Sequence, residues 1–365
     1  MRNYEKNKIS IILPTFNESR NIKEVLNDLT KLLKKSNFEI IIIDDKSNDN
    51  TAKIILHNFK KISNIILVQR EMSRSLIDSV KMGIQISSGE ICVVMDSDGQ
   101  HTTKDLIKML KEIVNNDLVI GVRDLKNIKF LSKTRIALST FFNWCLFSMF
   151  THKVNDPLTG FFIFKSRLLN KKFFNTQSTG FKVLIDFLYS IKNEKIKIKE
   201  HTISFQERKF GTSKLNFAVF FSFITQLFSL NIGSVLSPSF IGFLLIGLSG
   251  MLIYLITFVN LFFFFNVNYS YSYILAVLIT TLYNYNMHNY LNYFEIQKFL
   301  SMKYCISIVK YYMINIPGLF IGLNIALILK EQFLVNIILS TLGGISVDFW
   351  LKYYLTKIWI LKRDF

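Results

Sequence analysis

The feature that most constrains this chain is a sudden loss of charge near residue 236. Residues 236–365 hold eight of the 44 Lys/Arg and four of the 26 Asp/Glu, so the first 235 residues hold 36 and 22. The charge-poor part is dense in Phe, Leu and Ile. It contains four stretches near the length a helix needs to cross a bilayer, about residues 240–265, 271–287, 311–329 and 333–354. They predict a transmembrane domain of four helices over 234–365. The gap 266–270 has no charge, whereas 288–310 contains Lys298, Lys303 and Lys310, and the chain ends with Lys357, Lys362 and Arg363 nearby. The positive-inside rule then predicts a multi-pass integral membrane protein with its front domain, middle loop and C-terminus cytoplasmic. Asp348, inside the last stretch, is expected to face other helices or a helix end.

Two aromatic segments precede that domain. Residues 130–150 mix Lys133 and Arg135 with Phe141, Phe142, Trp144, Phe147 and Phe150, and residues 215–233 are nearly all apolar with Asn, Ser and Gln breaks. Neither is an uninterrupted span, and both are predicted to lie in the membrane interface. A core helix is the alternative for the first.

The front domain, residues 1–214, alternates short β-branched apolar runs with amphipathic segments. Runs at 10–13, 38–43, 64–68, 91–95 and 118–122 read as buried strands. Segments at 20–35, 51–59, 75–87 and 105–114 read as helices, the first capped by Asn17 or Ser19. This order predicts an α/β fold with a doubly wound, mostly parallel sheet. Ligands of such sheets sit at the carboxyl ends of the strands. Polar clusters follow the first, second and fourth strands there: Glu18, Asp44/Asp45, and Asp96/Asp98.

The fourth strand ends in Asp96-Ser97-Asp98-Gly99-Gln100-His101. Carboxylates at i and i+2 past a strand end can share one divalent cation, with Gln100 as a further oxygen donor. Hard oxygen donors suit Mg²⁺ or Mn²⁺ rather than Zn²⁺. Asp-x-Asp-Gly is also good turn chemistry, so the segment alone allows a metal cradle or a solvated turn. Three acidic clusters on one edge favour the cradle, because they repel unless cations or ligand donors share the site. His101 reads as a supporting or structural histidine, and the other four show no ligand spacing.

Several function classes are disfavoured. The net charge of +18 is spread over helix faces with no nucleic-acid-binding motif, which fits an anionic membrane surface better than nucleic acid. Cys92, Cys145 and Cys305 have no paired spacing. The polar N-terminus gives no signal-peptide pattern. No Gly-x-Gly-x-x-Gly follows the first strand and no Gly-Lys-Ser/Thr loop occurs, against dinucleotide and P-loop enzymes.

Five segments carry a family resemblance: Ile12-Leu13-Pro14-Thr15-Phe16-Asn17-Glu18, Ile43-Asp44-Asp45-Lys46-Ser47, Met95-Asp96-Ser97-Asp98-Gly99-Gln100-His101, Asp156-Pro157-Leu158-Thr159-Gly160-Phe161 and Arg208-Lys209-Phe210-Gly211-Thr212-Ser213-Lys214. In this order they resemble glycosyltransferase family 2, in its dolichol-phosphate mannose synthase branch of polyprenyl-phosphate glycosyltransferases. The tail resembles a GtrA-like membrane domain. The resemblance implies a GT-A fold, a nucleotide-sugar donor and inverting transfer to a lipid phosphate. It implies that Pro14, Phe16 and Glu18 hold the nucleoside, with Phe16 where the family usually has Tyr. It implies that Ile43 and Asp45 face base and ribose. Asp96, Ser97, Asp98 and Gln100 match the metal and diphosphate segment, with Asp98 central to catalysis. Arg123, Arg135, Arg208 and Lys214 match residues that receive the phosphates of donor and lipid, Arg123 and Arg135 those of the acceptor. Asp156 is a further candidate for orienting sugar or acceptor. Arg74-Ser75-Leu76 departs from the Gly-Leu-Gly common in the family.

The chemistry asks for such residues. Negative charge grows on a departing diphosphate, which a divalent cation offsets. A lipid monophosphate is already anionic and needs little help from a base, while arginine forks bind phosphate without titrating. The expected activity is metal-dependent transfer of one sugar, with GDP-mannose preferred and UDP-glucose the alternative, to dolichyl or polyprenyl phosphate. The absence of Gln-x-x-Arg-Trp disfavours a processive synthase. A lipid-sugar flippase or nucleotide-binding scaffold is the non-enzymatic rival, and a scaffold has no need for Asp96, Asp98 and Gln100. Oligomeric state is not legible.

Overall fold

The computed structural model describes residues 7–34, 36–71, 75–124, 133–176, 182–206, 217–232, 238–291 and 301–359. The chain divides into two compact units, Met1–Val219 and Phe220–Phe365. In the first, β1 (Ile9–Thr15), α1 (Ile22–Leu33), β2 (Phe38–Asp44), α2 (Thr51–Phe59), β3 (Ile65–Gln69), α3 (Leu76–Ile86), β4 (Ile91–Val94), α4 (Thr103–Glu112) and β5 (Leu118–Arg123) alternate as expected. There follow α5 (Lys133–Met149), β6 (Phe162–Lys165), α6 (Lys171–Asn175), α7 (Val183–Ser190) and β7 (Ile198–Ile203).

The strands form one sheet in the order β3-β2-β1-β4-β6-β5-β7. β1 runs parallel to β2 and β4, β2 to β3, and β5 to β7, whereas β6 lies antiparallel between β4 and β5. The expected mostly parallel sheet is therefore present, with one reversed strand. β1 and β2 are buried at every position, because helices cover both faces of a central parallel strand. One face buries Ile9, Ile11 and Leu13 with Ile22, Leu26 and Leu29 of α1 and Leu106, Met109 and Leu110 of α4. Each of these large apolar side chains contributes about 2 kcal/mol on burial. On the other face, a Cβ at Gly83 of α3 would stand 2.5 Å from Ile12 and 3.3 Å from Ile43, so α3 lies close on β1 and β2.

Two local expectations are corrected. α1 starts at Ile22 after Asn21, which makes no side-chain cap; the Asn21 and Ile22 amides donate to the Glu18 carbonyl instead. Asn17 takes a left-handed backbone, φ 57°, and its amide donates to Ser47 Oγ at 2.8 Å.

The second unit begins within α8 (Phe217–Ile232) and continues with α9 (Pro238–Val259), α10 (Tyr269–Tyr290), α11 (Met302–Glu331) and α12 (Ile337–Trp359). α9 packs on α10 and α11 on α12. α11 starts well before the apolar run at 311–329. A Cβ at Gly318 would stand 2.1 Å from Asp348 Oδ1, and one at Gly344 would stand 2.3 Å from the Gly322 carbonyl oxygen, so α11 and α12 meet along small residues. Asp348 thus faces another helix, as expected, and pairs at 2.5 Å with Lys352 one turn on.

A buried carboxylate ties the far edge of the sheet together. Glu39 of β2 accepts from Ser10 Oγ at 2.5 Å and the Ser88 amide at 2.7 Å, and pairs with Lys8 at 2.8 Å. Burial alone would raise its pKa, but Lys8, Ser10 and Ser88 outweigh burial and bring it down to about 2. The folded value lies below the ordinary 4.5, so the stabilisation is complete above about pH 4.5 and fades as the pH falls towards about 2. Glu39→Gln is expected to cost about 2 kcal/mol at pH 7, read as a lower melting temperature in detergent. The gap between variant and wild type should narrow as pH falls below about 4.5; a gap independent of pH would contradict the assignment.

Candidate active site

The carboxyl ends of β1, β2, β3, β4 and β5 lie on one edge, since β5 is antiparallel to β6 and β6 to β4. The turn before β6 returns to the same edge. The loops there are stitched together by short hydrogen bonds. The Glu18 amide donates to Thr51 Oγ1 at 3.0 Å, the Ser19 amide to Asp49 Oδ2 at 3.0 Å, and the Asn48 amide to Asn17 Oδ1 at 2.9 Å. Ser97 Oγ donates to the Pro14 carbonyl at 2.9 Å, which joins the loop after β4 to the loop after β1. Pro14 is buried, and Phe16 and Glu18 are half-buried. Glu18 accepts from Asn21 Nδ2 at 2.7 Å.

The two aspartates at the end of β2 have separate partners. Asp44 is fully buried and accepts from Thr15 Oγ1 at 3.2 Å and Ser47 Oγ at 2.6 Å. Asp45 accepts from Arg70 Nη1 at 2.6 Å on one oxygen and from the Ser75 amide at 2.7 Å on the other. Arg70, at the end of β3, is 5 % exposed and also donates to Ser79 Oγ and the Ser75 carbonyl. Asp45 therefore anchors the start of α3. The Ile43 side chain is enclosed in the core beside Gly83.

After β4 the chain turns through Gly99 at φ +78°, a conformation that favours glycine. Asp98 is buried and accepts from the Gln100 amide at 3.0 Å. Gln100 Nε2 donates to the Gln206 carbonyl at 2.9 Å, and the Gln206 amide returns a bond to the Gln100 carbonyl at 3.0 Å. The Asp96 carboxylate is 43 % exposed. It rests on Gly160, where a Cβ would stand 2.4 Å from Asp96 Oδ2.

Beside them lies a buried ion pair. Arg123 Nε and Nη2 donate to the two Asp156 oxygens at 2.7 and 2.8 Å, and the Arg123 amide donates to Oδ2 at 3.2 Å. Burial disfavours charge on both groups, but each charge holds the other. The Asp156 pKa is lowered and the Arg123 pKa raised, with Asp96 adding to the latter. Asn143 of α5 donates to Asp156 Oδ1 at 3.4 Å. The opposite side of α5 exposes Phe141 and Trp144.

The edge thus gathers Pro14, Phe16, Glu18, Asp45, Asp96, Ser97, Asp98, Gln100, Arg123 and Asp156. Arg208, Lys214 and the Arg135 side chain lie outside the described residues. The sequence reading gives no place to Arg70 or Asn143, and includes Gly160 only as part of the Asp156–Phe161 segment, without a role. Arg70 was findable, because it stands at a strand end on the ligand edge; Gly160 and Asn143 depend on the reversed strand and on the placement of α5.

Oxygen donors here fit a hard divalent cation. Asp96 and Asp98 are carboxylates two residues apart, and Gln100, with its nitrogen turned to Gln206, offers its amide oxygen. Among the described residues no three His, Cys, Asp or Glu side chains form a metal cage. Such an open set suits Mg²⁺ or Mn²⁺, which bind through one or two carboxylates together with substrate phosphates.

The chain is similar to several known proteins. A dolichol-phosphate mannosyltransferase of Pyrococcus furiosus is 30% identical over 272 residues, 70% of this chain and 73% of the relative. A dolichyl-phosphate beta-glucosyltransferase of Dictyostelium discoideum is 29% identical over 217 residues, 54% of this chain and 66% of that protein. A crystal structure of glucosyl-3-phosphoglycerate synthase from Mycobacterium tuberculosis with UDP superposes at TM-score 0.47 and 17% identity, covering 63% of this chain and 82% of that one. Residues 10–177 match glycosyl transferase family 2 and residues 242–361 the GtrA/DPMS transmembrane domain. The chain belongs to glycosyl transferase family 2, with a GT-A catalytic unit and a C-terminal transmembrane domain of the GtrA/DPMS type.

Proposed function

We propose that the protein transfers one sugar from a nucleotide sugar to dolichyl or polyprenyl phosphate, most readily mannose from GDP-mannose, with inversion at the sugar carbon. The observation that carries this reading is the Asp96–Gln100 loop, held at the ligand edge by Ser97 on Pro14 and Gln100 on Gln206, with Asp96 open to solvent on Gly160. The mannosyltransferase relative supports the donor. UDP-glucose is the second reading, favoured by the glucosyltransferase relative.

The residues divide the work. The Pro14–Glu18 loop receives the nucleoside, Phe16 by stacking. Asp45, fixed by Arg70 and Ser75, holds the loop that borders the base. Asp96, Asp98 and Gln100 would hold Mg²⁺ or Mn²⁺, which supplies Lewis-acid stabilisation of the departing diphosphate. Arg123 engages Asp156 through Nε and Nη2, and we assign its Nη1 to a phosphate oxygen. Its charge stays fixed at neutral pH, so the attacking lipid phosphate is bound without a proton being donated to it. Arg135, Arg208 and Lys214 complete the phosphate contacts in this proposal.

The acceptor's tail places the reaction at a membrane. Two helices of the second unit, Phe240–Phe264 and Met302–Glu331, are long and apolar enough to cross a bilayer. We read α10 and α12, of 22 and 23 residues, as two further spans, since about 20 residues suffice. The lysines of the middle loop (288–310) and of the tail then place the catalytic unit, that loop and the C-terminus on the cytoplasmic side in this proposal. The exposed Phe141 and Trp144 of α5 suit the interface.

The test is transfer by the full chain in detergent, with GDP-mannose or UDP-glucose, dolichyl phosphate and Mn²⁺. Mannosyl lipid should predominate. Glucosyl lipid instead would select the second reading, and neither product would reject both. Asp98→Ala should lower transfer by at least about 10³-fold; near-wild-type activity would remove the metal assignment. Gly160→Ala pushes a methyl against Asp96, a mobile side chain, so the fold should keep its melting temperature. The Mn²⁺ concentration for half-maximal transfer should rise about tenfold, and an unchanged requirement would detach Gly160 from the site.

A further inference from the structure

His101 stands directly behind the Asp96–Gln100 loop, and its surroundings give it a defined task. The side chain is 2 % exposed and packs on Phe161, at a centroid distance of 4.8 Å, and Phe205, at 5.8 Å. Nε2 lies 3.4 Å from Asp96 Oδ2. Nδ1 is buried with no hydrogen-bond partner among the described residues.

These contacts favour a proton on Nε2. A ring with one proton has one donor and one acceptor nitrogen. A proton on Nδ1 would bury an unpaired N–H between two phenyl rings and turn a lone pair towards a carboxylate. A proton on Nε2 gives Asp96 a donor and leaves only a bare acceptor in the apolar slot, the cheaper arrangement.

We propose that His101 is a positioning residue: its Nε2–H holds the Asp96 carboxylate, from the side opposite solvent, in the orientation that receives the divalent cation. The proposal rests on the metal reading given above. The Asp96 side chain is 43 % exposed and lies against Gly160, so the orientation of its carboxylate sets which oxygen faces the cation and which faces His101. A ligand carboxylate left to sample other rotamers must be ordered when the cation binds, and outer hydrogen bonds of this kind change metal affinity by about 10–100-fold. His101 itself touches neither sugar nor phosphate in this account.

The experiment measures Mn²⁺ binding to the full chain in detergent with GDP or with UDP, by the electron paramagnetic resonance signal of free Mn²⁺. The Mn²⁺ requirement of transfer is read in parallel. His101→Phe keeps the stacked ring and removes the N–H. His101→Asn sets its amide nitrogen near the Nδ1 position, and His101→Gln sets it near Nε2. His101→Phe and His101→Asn should weaken Mn²⁺ binding about 10–100-fold, with the turnover at saturating Mn²⁺ changed less. His101→Gln should recover most of the affinity. Wild-type binding by His101→Phe, or His101→Gln no better than His101→Asn, would overturn the proposal; the Gln and Asn pair decides alone if the Phe variant does not fold. Asp98→Ala in the same series separates the two claims. If it binds Mn²⁺ normally, the metal reading falls and takes this proposal with it. If it loses Mn²⁺ while His101→Phe retains it, only the positioning role falls.

Discussion

Carboxylates crowd the ligand edge of this sheet, and the way each is balanced organises the site. Like charges this close must find cations, donors or water. Asp44 has the hydroxyls of Thr15 and Ser47, Asp45 has Arg70, and Asp156 has Arg123. Removing one partner from a buried pair of this kind leaves an uncompensated charge at a cost of about 3–5 kcal/mol, so these contacts belong to the frame. Asp96 is arranged differently: it reaches solvent, lies on a glycine, and has a histidine behind it. In the proposed function Asp44, Asp45 and Asp156 hold the frame, while Asp96 and Asp98 are the carboxylates offered to the cation.

The frame also links segments distant in sequence. Ser97 ties the loop after β4 to Pro14, Gln100 ties it to Gln206 beyond β7, and Asn143 ties α5 to Asp156. α5 is the physical bridge within this unit between chemistry and surface: one side meets the Arg123–Asp156 pair, and the other exposes Phe141 and Trp144.

Much of this was legible in the residues. β1 to β5 and the helices between them follow from periodicity, because a strand covered on both faces reads as an unbroken apolar run. The acidic strand ends follow from counting where each run stops. β6 and β7 escaped. Phe162–Lys165 is four residues long and follows a turn, and Ile198–Ile203 intersperses Lys199, Glu200 and His201, so neither carries a clear pattern. Their absence from the reading hid the seat of Asp96 on Gly160, which depends on the turn before β6. Asp45 shows a different limit. Its position on the edge was readable, but not that Arg70 and Ser75 already engage both its oxygens, which is a matter of side-chain geometry.

In the proposed reaction a lipid phosphate oxygen takes the place of the nucleoside diphosphate in a single displacement at this edge. The proposed reaction uses no protein nucleophile: among the described residues, Asp44, Asp45 and Asp156 hold loops or Arg123, and Asp96 and Asp98 are proposed for the cation. The most direct measurement is the anomeric configuration of the lipid product, determined by nuclear magnetic resonance after turnover of the full chain with an α-linked nucleotide sugar and dolichyl phosphate. A β-linked sugar on the lipid phosphate is the result this account predicts. An α-linked product, which requires two displacements through an enzyme-bound sugar, would contradict it.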